Sequence, residues 1–355
     1  MQASHFQTLQ TQSTPFSQAQ YTTVPIKGKT MQAIVQHTYG SSDVLKQEII
    51  DIPTPKNEEV LIEVHSAALD RGTWHLMGGN PYLIRILGFG FSKPKQATPG
   101  FDVAGRVVAV GSAITRFRIG DEVFGIAKGS FAEYAVASER KLVLKPAELS
   151  YDAAAAATVS GITALEAVTD VGKAQAGQHV LVVGASGGVG SYAVQITKAI
   201  GAKVTGVASA EEADLVHSLG AEHVIDYNTN YLTDSTTQYD LIIDIGGRNK
   251  VSSLRQLLTE KGTLVFVGGE GGNRITGGIG RQIGASLMSV FMKQRLTMFV
   301  SAEKLSVIER LSDLIQSGAV TPAIGERFSL DEVPTAMRKL EAGALRGKTV
   351  IVVRG

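Results

Sequence analysis

The run Val180-Leu-Val-Val-Gly184-Ala-Ser-Gly187-Gly188-Val-Gly190-Ser-Tyr-Ala-Val-Gln-Ile196 leaves few folds open to this chain. Val180 to Val183 form an unbroken β-branched and Leu stretch, as expected of a parallel strand covered on both faces. Val189, Ala193, Ile196 and Ile200 then recur at helical spacing, and Gly201 stands where a helix C-terminal cap belongs. Between strand and helix, Ala185-x-Gly187-x-x-Gly190 fits the dinucleotide fingerprint with Ala in place of the first Gly. Glycines there let backbone approach a pyrophosphate and let the helix N-terminus point free N–H groups at it. A glycine pattern alone is a weak signal. With the correct strand before it and helix after it, this one reads as a nucleotide site.

At 355 residues the chain is long for one core and suggests two domains. A net charge of +1 gives no reason to expect nucleic acid or an anionic membrane as partner. Without cysteine there is no disulfide, thiol catalysis or thiolate metal site. No apolar run reaches the ~18 residues needed to span a bilayer. Residues 1–29 are rich in Gln, Thr and Ser and lack acids, which reads as a disordered tail ahead of a targeting signal.

Short strands with turn signals follow at Met31–Gln36, Val60–Ala67, Phe101–Gly111 and Glu122–Gly125, predicting a compact β-rich, barrel-like domain. At Ser150, a ready N-cap, the texture becomes Ala-rich and helical. From Val180 strand and helix alternate: Val204–Val207, Glu211–Leu219, His223–Asp226, Asp240–Ile245, Val251–Leu258, Thr263–Val267. That alternation predicts a doubly wound parallel sheet in an α/β fold. A helix near Ala302–Ser317, another ending near Glu341 and a final strand from Lys348 complete the chain.

Several motifs in this order carry a resemblance: Pro99-Gly-Phe-Asp-Val-Ala-Gly-Arg-Val, Gly120-Asp-Glu-Val-Phe-Gly, Ser160-Gly-Ile-Thr-Ala-Leu, Gly184-Ala-Ser-Gly-Gly-Val-Gly, Leu219-Gly-Ala-Glu-His-Val-Ile-Asp-Tyr and Leu345-Arg-Gly-Lys-Thr-Val-Ile-Val. Over about residues 31–355 the chain resembles the medium-chain dehydrogenase/reductase superfamily, and within it the zinc-independent quinone oxidoreductase-like branch. The resemblance implies a GroES-like domain over 30–150 and 322–355 and a Rossmann domain over 151–321, with the active site in the cleft between them. It also implies a homodimer, with the Met- and Phe-rich stretch 285–300 near the dimer contact or the substrate entrance.

In the zinc enzymes that share this architecture the metal takes Cys and His ligands. The corresponding positions here are Asp70, Phe101 and Val159, and Phe and Val cannot coordinate zinc. His65 and His75 read as structural or surface residues, so no metal is expected. Without a Lewis acid, reduction of an electron-poor acceptor is the expected chemistry.

NAD-preferring sites carry an acidic residue near the end of the second strand. Here the stretch is Val207-Ala-Ser209-Ala, which leaves room for a 2′-phosphate and puts NADPH ahead of NADH, although Glu211 and Glu212 follow. The resemblance implies cofactor contacts at Thr163, Ser186, Gly187, Gly188, Val189, Ser209, Tyr227, Gly246, Gly268 and Gly269. It implies the same of Arg346 and Lys348, closing over from the first domain; both read equally well as a solvated surface pair.

The segment Asp70–Tyr82 corresponds to the substrate-side wall. Arg71 or Tyr82 could hydrogen-bond a carbonyl oxygen and Trp74 could stack on a flat ring; each also has a structural reading. Residues 82–95, apolar with a basic end, have the composition of a flap over an apolar pocket. The expected protein is a cytoplasmic, zinc-independent, NADPH-dependent reductase of quinones or α,β-unsaturated carbonyl compounds. The alternatives are an NAD(P)-dependent alcohol or aldehyde oxidoreductase, or a nucleotide-binding regulatory protein with little turnover.

Overall fold

The computed structural model describes residues 28–229, 232, 236–270 and 273–354. The expected tail therefore lies outside the described residues except for residues 28 and 29, as do Gly271 and Gly272. The chain opens with β1 (Thr30–Val35) paired antiparallel to β2 (Lys46–Asp51). Then come β3 (Glu59–Ala68), α1 (Arg71–Gly78), the short α2 (Tyr82–Ile84), β4 (Asp102–Val110), β5 (Glu122–Ile126), β6 (Tyr134–Ser138) and β7 (Leu142–Leu144). The long helix α3 (Tyr151–Leu165) leads into β8 (His179–Val183), α4 (Gly188–Ala199), β9 (Lys203–Ala208), α5 (Ala213–Ser218), β10 (His223–Asp226) and β11 (Tyr239–Asp244). The rest is α6 (Val251–Gln256), β12 (Leu258–Phe266), α7 (Ile279–Met288), β13 (Arg295–Met298), α8 (Leu305–Gln316), β14 (Ile324–Ser329), α9 (Val333–Glu341) and β15 (Lys348–Val352).

Strands β8 to β13 form one parallel six-stranded sheet in the order β10-β9-β8-β11-β12-β13. The order reverses between β8 and β11, and ligands of doubly wound sheets bind in the crevice beyond the strand C-termini at such a reversal. Helices cover both faces, which is why Val180 to Val183 can all be apolar and buried.

The second sheet runs β14-β15-β3-β4-β5-β7, with β6 pairing the first half of β3. Strands from 280 positions further along the chain thus complete it: Val350, Ile351 and Val352 pair with Ala68, Ala67 and Ser66.

Helix α3 joins the two sheets. Ser150 caps it by accepting from Ala153 N at 3.2 Å. Its buried Ala154 to Ala157 are small enough for backbone to approach closely, and Gly161 leaves room for Leu311 of α8, which a Cβ would meet at 2.6 Å. One apolar core consequently runs from Ala104 and Phe124 of the first sheet through α3 to Val180, Val182 and Leu241 of the second. Truncating the fully buried Leu311 to Ala would cost about 2–5 kcal/mol.

Two stretches differ from expectation. The segment 285–300, expected near the dimer contact or the substrate entrance with no regular element assigned to it, contains the end of α7 and the edge strand β13. Thr263–Phe266 of β12 give Arg295–Met298 a pairing partner that no local pattern announces. The helix expected over Glu211–Leu219 begins as a 3-10 turn at Ala210–Glu212 before α5.

Candidate active site

The crevice is floored by the turns after β8, β11 and β12. Gly184 N and Ala185 N both donate to Val207 O at 3.0 Å, so the chain leaves β8 sharply and α4 starts at Gly188. Gly187 is the N-cap and no side chain caps the helix, which leaves its first-turn N–H groups open to an anion. The glycines here do two different jobs. A Cβ on Gly190 would lie 2.0 Å from Gly184 O, so Gly190 is needed for helix-on-strand packing. A Cβ on Gly187 would meet only that same oxygen, at 3.5 Å, so the space beside Gly187 is open. Ser186 is buried, and its carbonyl accepts from Gly347 N at 2.8 Å.

At the end of β9 the structure departs from the expected phosphate contact. Ser209 N and Oγ both donate to Glu212 Oε2, at 3.2 and 2.8 Å, in a capping box. The hydroxyl expected to meet a 2′-phosphate is therefore engaged by a carboxylate three residues on. Arg346 reaches over from the loop before β15 and pairs with Glu211 at 2.5 Å and Glu212 at 3.6 Å. Tyr227 is exposed beside this corner, its N–H bonded to Ala208 O at 3.2 Å.

The other two turns are braced from behind. Gly246 N donates to Val183 O and Gly268 N to Asp244 O. A Cβ on Gly268 would sit 1.9 Å from Ile245 O. Gln282 of α7 donates to Gly268 O at 2.7 Å, and Arg281 holds Asp244 at 3.0 Å. Burial pushes the Asp244 carboxyl above its ordinary range against that arginine. Gly269 faces Gln282, whose amide nitrogen a Cβ would meet at 3.5 Å. Thr163 is half-buried on α3 and donates to Val159 O at 2.7 Å.

The three positions that correspond to zinc ligands do not make a ligand set. Asp70 caps α1, one oxygen taking Thr73 N at 2.8 Å and the other Thr73 Oγ1 at 2.7 Å. Phe101 and Val159 pack against the shared core. Lys348 bonds to the neighbours of all three: Leu69 O at 2.9 Å, Asp102 Oδ2 at 2.9 Å and Ser160 Oγ at 3.1 Å. Asp102 Oδ1 in turn accepts from Val159 N at 2.7 Å. Lys348 and Asp102 are both fully buried, so Lys348 is not one of a solvated surface pair. Its three donors are used internally, and what it offers the glycine turn is its aliphatic stem, 3.2 Å from where a Gly188 Cβ would be. The sequence carried a signal for this pair, because an Asp inside an apolar strand needs a buried cation. His65, the other histidine considered, stacks on Tyr151 with ring centroids 4.1 Å apart.

Across the crevice, Arg71 lies over the Trp74 ring at 5.3 Å, and Trp74 Nε1 donates to Glu341 Oε1 at 3.3 Å. Trp74 also packs on the core of the β-rich sheet, so most of the indole is committed to structure. Arg85 is sandwiched between the rings of Tyr39 and Tyr82 at 4.4 and 4.5 Å and donates to Gly79 O. That sandwich pins the segment expected to be a flap. Beneath it lies a cavity of about 160 Å³ lined by Thr73, Leu76, Met77, Phe89, Pro99 and Phe101 among others. A contact that sequence reasoning missed spans the cleft: His75 Nε2 of α1 lies 3.5 Å from Glu270 Oε1, one residue past Gly269.

The chain matches two family models, the alcohol dehydrogenase GroES-like domain over residues 56–147 and the zinc-binding dehydrogenase over 219–351. The second match contains none of positions 70, 101 and 159. The chloroplast envelope quinone oxidoreductase homolog of Arabidopsis thaliana is 31% identical over 344 residues, covering 91% of this chain and 99% of the relative. The NADPH-dependent alkenal/one oxidoreductase of the same plant is 33% identical over 341 residues, covering 91% and 80%. Among solved structures, the quinone oxidoreductase from Coxiella burnetii superposes with a TM-score of 0.81 at 29% identity, covering 92% of this chain and all of the other.

Proposed function

The chain belongs to the medium-chain dehydrogenase/reductase superfamily, in its quinone-oxidoreductase-like branch, and from that premise we propose that it is an oxidoreductase that reduces quinones or α,β-unsaturated carbonyl compounds with NADPH. One observation carries the reading. An uncapped helix N-terminus stands on one side of the crevice, an apolar cavity on the other, and the positions that could hold zinc are filled by an N-cap, a Phe and a Val. The names of the two plant relatives support both acceptor classes, and one of them supports NADPH.

The residues present fit a dinucleotide. The N–H groups at the start of α4 would hold its pyrophosphate, between Ser186 and Val189. Ser209, Tyr227 and Arg346 would flank the adenosine end, and Gly246, Gly268, Gly269 and Thr163 the other. When bound, the cofactor supplies a hydride. The protein's part is to orient the acceptor, exclude water and stabilise an enolate-like or hydroquinone-like oxygen. The apolar cavity wall does the excluding, and Lys95 is the cation that lines it. This chemistry needs no Lewis acid, because an activated double bond accepts hydride without a prior deprotonation.

The reading includes a cytoplasmic location and a homodimer, the latter supported by the exposed Leu287, Val290 and Phe291 next to edge strand β13. No helix among the described residues is long and apolar enough to cross a membrane. The test follows NADPH and NADH absorbance with a panel of quinones, enones and simple aldehydes, with and without chelator. Oxidation of NADPH by quinones or enones is expected. Chelator-sensitive alcohol oxidation would overturn the reading, and so would NADPH binding with no acceptor turned over.

A further inference from the structure

Reduction of an enone needs a proton as well as a hydride, and the cleft contains one group built to supply it. His75 and Glu270 belong to opposite walls: α1 follows β3 of the first sheet, and Glu270 ends the turn after β12 of the second. Their side chains meet at 3.5 Å and are 28% and 18% exposed, so both can be reached from the cleft.

The hydrogen bonds define the proton inventory. His75 Nδ1 lies 3.1 Å from Asn80 O, and a carbonyl only accepts, so Nδ1 carries a proton. Nε2 faces a carboxylate, which also only accepts once ionised. A proton on Nε2 would therefore point at Glu270 Oε1. Glu270 is kept ionised for this role. The imidazole of His75 beside it, and then Arg71 and Arg248, hold its carboxyl below the ordinary range against the burial that pushes it up. The Trp74 ring leans on the imidazole at 4.7 Å, and Glu341 of α9 accepts from the far edge of that indole. These are the charged groups around His75: Glu270, Arg71 and Arg248 beside the pair, and Glu341 behind Trp74.

The separation matters too. At 3.5 Å the Nε2–Oε1 contact is longer than a well-formed N–H···O bond of 2.7–3.2 Å, so the proton is held loosely and remains available to a third atom. The other cleft groups are less suited. Lys348 is internally satisfied, and arginine does not give up its proton.

We propose that His75 is the proton donor of the reductive half-reaction, positioned across the cleft by Glu270. The inference rests on the reductase reading above. Hydride forms a C–H bond at the β-carbon of the enone while the π pair shifts to give the enolate, the nicotinamide being oxidised and the enone reduced. The Nε2–H bond of His75 then breaks and its proton forms the C–H bond at the α-carbon. The neutral imidazole takes a new proton from solvent through its exposed edge, beside Glu270.

The test uses the full chain with NADPH and two acceptors, cyclohexenone and a naphthoquinone, in wild type, His75→Gln and Glu270→Gln. Loss of a general acid lowers kcat on the order of 10²–10⁴-fold, and this loss is expected with the enone. The quinone should lose far less, because a hydroquinone anion is a much weaker base than an enolate and takes its proton from water after release. Glu270→Gln, which keeps the shape, should move the alkaline limb of the enone rate to lower pH. Imidazole NMR of the ligand-free protein gives a readout apart from turnover. It should show the His75 ring signals moved by Glu270→Gln, as expected if Nε2 faces that carboxylate. Equal losses with both acceptors, an unchanged enone rate, or His75 ring signals untouched by Glu270→Gln each overturn the proposal. If wild type itself oxidises NADPH with neither acceptor, the reductase reading falls and this step with it, whatever the NMR shows of the pair.

Discussion

Replacing Lys348 by Met gives the sharpest test of how the two sheets are held at the site. The substitution keeps most of the stem under Gly188 and deletes the ammonium. Asp102 then retains a single bond, from Val159 N at 2.7 Å, in a place with no solvent access. Even with Lys348 present, burial, the largest influence, pushes Asp102 from 3.8 up to about 6, with Lys348 opposing and Asp70 adding to the rise. Above that range the ionised carboxyl costs folding about 3 kcal/mol relative to the unfolded chain. The sign is the reverse of ordinary acid unfolding. The folded carboxyl binds its proton more tightly than the unfolded one, so its contribution to stability falls as pH rises from about 4 to about 6.

Without the ammonium only the bond from Val159 N opposes burial. The window extends upward, and the variant should lose about 3–5 kcal/mol at about pH 8, the range for an uncompensated buried charge. Much of that loss should return at about pH 5, where Asp102 is protonated in the folded variant. Urea unfolding followed by the fluorescence of Trp74, the single tryptophan, measures both values. Asp102→Asn in the Lys348→Met background should restore part of the stability at high pH. A loss below about 1 kcal/mol, or one that is the same at both pH values, would refute this account of the pair.

Three further outcomes follow from the site. Gly187→Ile should leave the thermal midpoint near that of wild type yet abolish NADPH binding, whereas Gly190→Ala should lower the midpoint, because only its Cβ meets backbone at 2.0 Å; intact affinity in Gly187→Ile by calorimetric titration would move the site elsewhere. Glu211→Gln should tighten NADPH about 2- to 5-fold by releasing Arg346 from an exposed pair worth ~0.2–1 kcal/mol, leave NADH unchanged, and lose its advantage at high salt; Arg346→Ala should do the opposite, and a change of equal size for both nucleotides would remove Arg346 from the 2′ corner. Prolonged chelation should leave quinone reduction unaltered, and loss of more than about half the rate, restored by zinc, would show a metal requirement that the side chains at 70, 101 and 159 give no reason to expect.

What could be read along the chain is whatever its near neighbours decide. The glycine turn, its buried strand and its helix are set within twenty residues, and they stand where hydrophobic period and turn chemistry put them. The capping box at Ser209-Ala-Glu-Glu212 was equally local. Its S-x-x-E spacing announces that the hydroxyl is engaged, and reading that serine for a phosphate overlooked a competitor three residues away. Strand β13 was out of reach for another reason. Only Leu296 of its four residues is buried, as befits an edge, so it has almost no pattern to detect. The pairs that hold the cleft join residues far apart: Lys348 and Asp102 are 246 positions distant, and His75 meets Glu270 from the other sheet. Such contacts exist only once the chain has returned on itself.

That return has a consequence for how the molecule comes into being. Strand β3 pairs through Ser66, Ala67 and Ala68 with β15, and Leu69 receives the Lys348 ammonium from 279 positions further on. During synthesis every strand of the six-stranded sheet is available once Met298 has emerged, and that sheet can close while translation continues. The first sheet cannot. From the moment β3 leaves the ribosome until the last of the strands follows it, half of one edge lies open, apolar and ready to pair with another chain. A strand made early is thus among the last to be finished, and the nascent protein is most exposed to aggregation at the strand that leads into the α1 wall of the cleft.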